Sequence, residues 1–171
     1  MLPSPFTLRD GTRVVVRPIE PGDKARLAEG LRRLSERTIR RRFLAAKPRF
    51  SSTELRYLTE VDGVDHVALV AVLADDPDAL VAVARFVRLP DRPGTAEMAV
   101  VVGDAYQGLG LGRRLAQLLA DEARRGGVVR FAATMLGENL PAQRVMRTIT
   151  ERLEGRWAGG GVRELIGDLA A

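Results

Sequence analysis

Apolar and polar positions alternate along this chain in segments that predict both strands and helices. Short runs rich in valine, leucine and alanine are typical of strands, whereas apolar residues spaced three and four apart are typical of helices. The predicted strands are Thr12–Ile19, His66–Ala74, Ala79–Leu89, Thr95–Gly103, Val128–Leu136 and a terminal hairpin within Arg152–Leu169. The predicted helices are about Asp23–Arg33, a short one starting at Ser51 or Ser52, about Gly110–Arg125, and Asn139–Ile149.

The order of these elements predicts the fold class. One strand, two helices and three strands able to pair antiparallel precede a helix, a strand, a helix and two final strands. Such an order gives a mixed α/β (α+β) sheet rather than a doubly wound parallel one. Runs such as "HVALVAVLA" are typical of central strands covered on both faces. No repeat or flexible linker divides the chain, so we expect residues 1–171 to form a single domain.

Composition removes several classes of function. The chain has no cysteine and a single histidine, His66, which excludes a cysteine nucleophile and leads us to expect no metal site. No apolar run reaches the roughly 18 residues of a membrane span, and the N-terminus lacks the layout of a signal peptide. We therefore expect a cytoplasmic protein without a membrane partner.

The formal net charge of +5 comes from an excess of basic residues, most of them arginine. The densest cluster lies between Arg32 and Arg42. It could serve as a nucleic-acid patch, a solvated helix face or a wall for an anionic ligand. No aromatic platform is interleaved with these arginines, so we expect no nucleic-acid partner.

Three alternating glycines form the most specific motif of the sequence. The motif consists of Gln107, Gly108, Leu109, Gly110, Leu111 and Gly112, with Arg113 next. It joins a predicted strand to a predicted helix, where unpaired N–H groups and the positive end of the helix dipole favour phosphate binding. A nucleoside-triphosphate loop would need a lysine after the last glycine, and the dinucleotide motif would need a glycine at Arg113. The alternative is a flexible turn that only permits tight packing.

One carboxylate stands in an otherwise apolar strand. Glu97 is the only ionisable residue between Ala96 and Val102. We expect such a strand to withdraw the carboxylate from water, and a desolvated carboxylate accepts a proton more readily. Glu97 is therefore the candidate general base, and the alternative is a structural carboxylate at a sheet edge or in an internal ion pair.

The glycine motif resembles the Q/R-x-x-G-x-G/A signature of the Gcn5-related N-acetyltransferases (GNAT). The resemblance follows the order of elements along nearly the whole chain. Within this family, the sequence most resembles the catalytic domain of Pat-type bacterial protein lysine acetyltransferases. The segments that carry this resemblance are "RDGTRVVVRPI", "DHVALVAV", "VARFVRLPD" and "TAEMAVVVGDAYQGLGLG". It implies a mostly antiparallel sheet of six to seven strands with helices on both faces, and acetyl-CoA as the cofactor.

The resemblance also implies roles for individual residues. Glu97 would be the catalytic base, and a bulge in its strand would free backbone groups for the pantetheine arm. Asn139 would contact the same arm, a role compatible with capping a helix. The cofactor-binding residues implied in this way are Ala99, Val100, Val101, Gln107, Gly108, Leu109, Gly110, Leu111, Gly112, Arg113 and Asn139.

Two departures from the family pattern bear on activity. Met146 stands where many members carry a tyrosine that acts as general acid, and "ITERLEG" replaces the usual Gly-Phe after the helix. Because there is no cysteine, we predict direct transfer in a ternary complex. The resemblance implies that acetyl is transferred to a primary amine, with a protein lysine as the preferred acceptor. The alternatives are a small-amine acetyltransferase and a catalytically weak acyl-CoA-binding sensor. Both a monomer and a homodimer are compatible with the sequence.

Overall fold

Eight strands and five α-helices follow one another along residues 3–170, the part of the chain that the structure, a computed structural model, describes. The strands are β1 (Ser4–Thr7), β2 (Arg13–Pro18), β3 (His66–Leu73), β4 (Leu80–Arg88), β5 (Thr95–Val102), β6 (Arg130–Leu136), β7 (Thr150–Gly159) and β8 (Val162–Leu169). The helices are α1 (Lys24–Arg32), α2 (Glu36–Phe43), α3 (Ser52–Thr59), α4 (Leu111–Arg125) and α5 (Leu140–Ile149).

The strands form one sheet in the order β1-β2-β3-β4-β5-β6-β8-β7. Every neighbouring pair is antiparallel except β5 and β6, which run parallel. A parallel pair needs a crossover connection, and α4 supplies it. The predicted mixed, mostly antiparallel sheet is therefore confirmed. The predicted count of six to seven strands is wrong, because β1 was not expected and four residues are too few to show a period.

The helices cover both faces of the sheet, as predicted. On one face, called the α4 face, Leu115 and Leu119 of α4 pack in a core with Phe86 and Phe131. On the other, called the α1 face, Leu27 of α1 packs in a second core with residues of β3 and β4. Along residues 3–170, none of the helices combines the length and apolarity needed to cross a membrane.

Strand β5 contributes to both faces because successive side chains alternate. Ala96 and Met98 are buried in the core of the α4 face. Glu97, Ala99 and Val101 therefore lie on the α1 face, where Val101 joins the second core. The single carboxylate of this strand thus faces the side of the sheet that α1, α2 and α3 cover.

Three helices rather than the predicted two precede β3. The additional helix is α2, which begins after Ser35, whose side chain accepts a hydrogen bond from the Thr38 N–H. Glu36 in the first turn and three arginines in the last turn complement the helix dipole. These capping signals are present in the sequence, but the arginine-rich composition leaves too few apolar residues to show a helical period. The Arg32–Arg42 cluster therefore spans the end of α1 and most of α2.

The "ITERLEG" segment forms a direct junction between a helix and a strand. Helix α5 ends at Ile149, and β7 begins at the next residue, Thr150. Strand β7 pairs with β8 from Thr150 to Gly159, with register shifts near each end. The departure from the family pattern is therefore accommodated without loss of the terminal hairpin.

A buried carboxylate ties β2 to the start of α1. Asp23 is fully buried and accepts hydrogen bonds from both terminal nitrogens of Arg17, each at 2.7 Å, and from the Glu20 N–H at 2.9 Å. Arg26 donates a further hydrogen bond at 3.2 Å. Burial raises the pKa of Asp23, but these hydrogen bonds outweigh burial and hold the pKa below its ordinary value. The network fixes where α1 starts on the sheet.

Replacing Asp23 by alanine should lower the free energy of unfolding by about 3 kcal/mol, because the Arg17 guanidinium would lose its counter-charge at a partly buried site. The matched control is Asp75→Ala, since the Arg13–Asp75 pair is 64% and 78% exposed and such pairs contribute little. Urea denaturation monitored by circular dichroism measures both. Equal losses in the two variants would contradict a structural role for the Asp23 network.

Candidate active site

Strands β5 and β6 pair over only three residues before they separate. The paired residues are Thr95 with Arg130, Ala96 with Phe131 and Glu97 with Ala132. Beyond Glu97, β5 continues to Val102 and pairs only with β4. Backbone groups that point from this part of β5 toward β6 are therefore available to another partner. The predicted cofactor-binding residues Ala99, Val100 and Val101 lie along this free edge.

The bulge expected in β5 is not found along its ladder with β4. From Ala96 to Val102 the two strands keep one unbroken register. The expectation was wrong in its mechanism, because the edge becomes free through separation of β5 from β6. The backbone of Ala99–Val101 is still predicted to form hydrogen bonds with the amides of a ligand.

The loop before α4 has the backbone conformation that its glycines permit. Gly108 has φ 74° and Gly110 has φ 97°, both in the left-handed region that residues with a Cβ rarely adopt. No other described atom lies within 4 Å of a Cβ built at either position. Conformation rather than crowding therefore requires glycine at both sites. Between them, the Leu109 carbonyl accepts a hydrogen bond from the Arg9 N–H at 3.3 Å, so the β1–β2 turn braces the loop.

The first turn of α4 presents its backbone donors to this loop. Leu111, Gly112 and Arg113 begin the helix, so their N–H groups have no acceptor within the helix. Gly112 does not have a positive φ, and a Cβ there would lie 3.5 Å from Val102 Cγ2. A methyl group would therefore fit here at an ordinary contact distance. Arg113 is exposed and adds positive charge at the rim.

A polar network joins α2 to the same loop. Asp104 accepts hydrogen bonds from the N–H and the hydroxyl of Ser35, at 2.9 and 2.6 Å, and from the hydroxyl of Thr38 at 2.8 Å. Gln107 Nε2 donates to Thr38 Oγ1 at 3.1 Å and to the Val102 carbonyl at 2.9 Å. The Gln107 side chain thus links the start of the loop to α2 and to the end of β5. Sequence analysis missed the other three side chains, because scattered Ser, Thr and Asp residues carry no spacing signal.

Glu97 is the last residue of β5 that pairs with β6. Its side chain is exposed, so the expectation that the strand withdraws it from water is wrong. Thr134 of β6 donates a hydrogen bond from Oγ1 to Glu97 Oε1 at 3.3 Å. The carboxylate is therefore oriented at the point where the strands separate. Thr134 was not identified from the sequence.

An apolar cleft lies on the α1 face next to the free edge of β5. It encloses about 380 Å³ between α1, the end of α2, and strands β4 and β5. Its walls include Leu27, Phe43, Phe50, Val83 and Val101. Helix α2 packs against β5 and β6 where they separate. A molecule in this cleft would thus approach β5 from the side that carries Glu97.

His66, at the start of β3, is buried, at 7% exposure. Its Nε2 lies 3.0 Å from Arg85 Nη1. Because arginine can only donate, Nε2 accepts this hydrogen bond. Burial, and secondly the charge of Arg85, lower the pKa of His66 to about 4. His66 is therefore a neutral residue that orients Arg85.

Asn139 caps α5, as the sequence predicts. Its Oδ1 accepts a hydrogen bond from the Ala142 N–H at 3.3 Å, and the residue is 8% exposed. The amide nitrogen has no acceptor among the described residues and can donate to a ligand. Met146 of the same helix is 1% exposed in the core of the α4 face. The position at which many family members carry a tyrosine therefore faces the core in this chain.

Comparisons with known proteins agree on one family. Residues 36–149 match the Acetyltransferase (GNAT) family. The chain is 39% identical over 173 residues to Acetyltransferase Pat of Mycolicibacterium smegmatis, which covers 96% of this chain and 46% of that protein. It is 33% identical over 144 residues to Acetyltransferase PA5475 of Pseudomonas aeruginosa, with 84% and 75% covered. The chain thus spans less than half the length of the M. smegmatis protein.

The fold agrees with the same family. The crystal structure of the GNAT domain of S. lividans Pat matches this chain with a TM-score of 0.85 and 31% sequence identity. The match covers 98% of this chain and 97% of that domain. The fold of this chain therefore corresponds to a known architecture over 98% of the chain.

Replacing Gly110 by alanine should weaken acetyl-CoA binding about tenfold, because a Cβ at φ 97° costs roughly 1–2 kcal/mol and shifts the donors of the loop. Gly112→Ala is the matched control, since it adds the same methyl group at an ordinary φ and an ordinary contact distance. Calorimetric titration with acetyl-CoA measures both affinities. The same loss in the two variants would show that the left-handed conformation is not what the loop requires.

The free energy of unfolding should fall as the pH is lowered from 6.5 to 4. In that interval the unfolded chain protonates His66, whereas the folded protein, with its pKa of about 4, resists protonation. The fall should be smaller in His66→Gln, which keeps a hydrogen-bond acceptor for Arg85 but does not titrate in this range. Denaturation series at pH 7 and 4.5 compare the two proteins. Parallel pH profiles would contradict a buried neutral histidine.

Proposed function

Because the chain belongs to the GNAT family of acetyltransferases, we propose that it transfers an acetyl group from acetyl-CoA to the side-chain amine of a protein lysine. The observation that carries this proposal is the position of Glu97. This exposed carboxylate lies on the α1 face at the residue where β5 and β6 separate. An amine that reaches this point meets a proton acceptor beside a free strand edge.

Groups of this chain match two parts of acetyl-CoA, the acetyl donor of the family. The N–H groups between Gly108 and Arg113 suit a pyrophosphate. The free edge of β5 at Ala99–Val101 and the amide nitrogen of Asn139 suit the amides of the pantetheine arm. The bound thioester supplies an activated acetyl group, and the protein positions it next to Glu97.

Proton transfer explains why a carboxylate is needed. A lysine ammonium has a pKa of about 10.4, so roughly one amine in 2,500 is neutral at pH 7. Glu97 accepts the proton that the amine loses as its bond to the acetyl carbon forms and the carbon–sulfur bond breaks. Thr134 holds one carboxylate oxygen and leaves the other free for the amine or for one bridging water. With Met146 in the core, solvent water returns a proton to the departing thiolate.

A protein lysine suits this site better than a small polyamine. Glu97 is exposed, so a long side chain from another protein surface can reach it. Arg42 and Arg85 line the same face and would repel a polycation. The resemblance of the sequence to Pat-type lysine acetyltransferases supports the same acceptor. The oriented carboxylate argues against a binding-only sensor, which would have no use for a base.

Replacing Glu97 by glutamine should lower kcat about 10²- to 10⁴-fold while acetyl-CoA affinity is retained, because only the proton acceptor is removed. The matched control is Glu154→Gln, an exposed carboxylate on β7. Thiol release with lysine-containing proteins and with small amines gives kcat, and calorimetry gives the affinity. Unchanged turnover in Glu97→Gln would rule out the base. A wild-type protein that binds acetyl-CoA but turns over no acceptor would favour the sensor.

A further inference from the structure

Two arginines line a small cavity adjoining the cleft, and neither has an ion-pair partner among the described residues. Arg42 lies in the last turn of α2, and Arg85 lies on β4. Both line a cavity of about 30 Å³ that shares Phe43 and Val101 with the larger cleft. Within residues 3–170, no carboxylate lies within 4.0 Å of either guanidinium. The cavity thus holds two positive charges, and the charge of Glu97 acts favourably on that of Arg42.

Arg85 is held in place but is not neutralised. It is 6% exposed, and its Nη1 contacts the Leu58 carbonyl at 3.2 Å and His66 Nε2 at 3.0 Å. Its Nη2 and Nε have no acceptor among the described residues. Burial, and secondly the charge of Arg42, lower the pKa of Arg85 to about 10, so it stays charged at neutral pH. A buried cation without a counter-charge is costly, and a bound anion would remove much of this cost.

Arg42 lines the same small cavity from helix α2. Its guanidinium carbon lies 5.0 Å from the centre of the Phe43 ring. Burial lowers the pKa of Arg42, and the charge of Glu97 opposes this effect. The two arginines thus provide donors from opposite walls of one small cavity. The small volume of this cavity, about 30 Å³, suits a compact anionic group such as a carboxylate.

The strand register sets the spacing between Arg85 and Glu97 on the α1 face. Arg85 pairs directly with Ala99, and Val87 pairs with Glu97, so Arg85 is a diagonal neighbour of Glu97. Diagonal neighbours on one face of a sheet are roughly 7–8 Å apart. An α-amino acid that reacts through its own α-amine has its carboxylate only two bonds away, which is shorter than this spacing of the side-chain attachment points. A lysine side chain with a carboxylate on or next to the same residue can span it.

We propose that Arg42 and Arg85 bind a carboxylate of the acceptor, so that this protein prefers lysines with a neighbouring acidic group. The inference deepens the proposed function and rests on it. The carboxylate can come from an aspartate or glutamate next to the lysine in a polypeptide, or from the α-carboxylate of free lysine. Both sources present the same chemistry to the arginine pair, and the acceptors used in the test distinguish them.

The test compares two peptides that differ only in a glutamate or a glutamine next to the target lysine. Wild-type kcat/KM should be about ten- to hundredfold higher for the glutamate peptide, the range expected for hydrogen bonds to a charged group. In Arg42→Gln the ratio between the peptides should fall toward one. Arg40→Gln is the matched control, because it removes the same charge from an exposed position of α2 and should keep the ratio.

A second pair of acceptors, free lysine and cadaverine, identifies the source of the carboxylate. Preference for lysine over cadaverine without preference between the peptides assigns the site to the α-carboxylate. Equal kcat/KM within both pairs overturns the inference and leaves the proposed function intact. Equal loss of preference in Arg40→Gln and Arg42→Gln also overturns it, because general attraction would then explain the effect. Binding of acetyl-CoA without turnover of any lysine substrate overturns both proposals.

Discussion

The single parallel strand pair is the constraint on which the candidate site depends. A parallel neighbour can be reached only by a crossover, so β5 must turn into α4 before the chain returns as β6. The helix therefore begins at the end of β5, with its unpaired donors directed at the glycine loop. The strands stay paired only as far as Glu97, and the backbone beyond it is free. One topological requirement thus brings together a phosphate site, a strand edge and a carboxylate.

The two faces of the sheet contribute different features where β5 and β6 separate. On the α4 face, close packing of Gly112 against Val102 fixes the helix whose N-terminus forms the loop. On the α1 face, which also carries Glu97, an apolar cleft lies between α1, the end of α2, and strands β4 and β5. Asp104 and Gln107 join the two sides, because both contact Thr38 of α2 at the start of the loop. A displacement of α2 would therefore break or shift hydrogen bonds that position the glycine loop.

On the α1 face, buried charge is compensated in one place and left uncompensated in another. Near the start of α1, Asp23 is surrounded by donors that compensate its burial. In the small cavity adjoining the cleft, Arg42 and Arg85 lack such compensation among the described residues, and the neutral His66 orients Arg85 without balancing its charge. The contrast separates a network that stabilises the fold from one that suits a ligand. It also gives part of the arginine-rich segment a location where its charge has a specific use.

The sequence alone determined the order of most elements, the glycine loop, the helix cap at Asn139 and Glu97 as the notable carboxylate. These depend on local spacing, conformation and alternation, which are visible along the chain. Only the tertiary structure decided that Glu97 is exposed, that strand separation rather than a bulge frees β5, and that Thr134 and Arg85 lie near Glu97. Such features depend on how distant strands pair and where helices pack, and no local pattern encodes the distance between residues far apart in sequence.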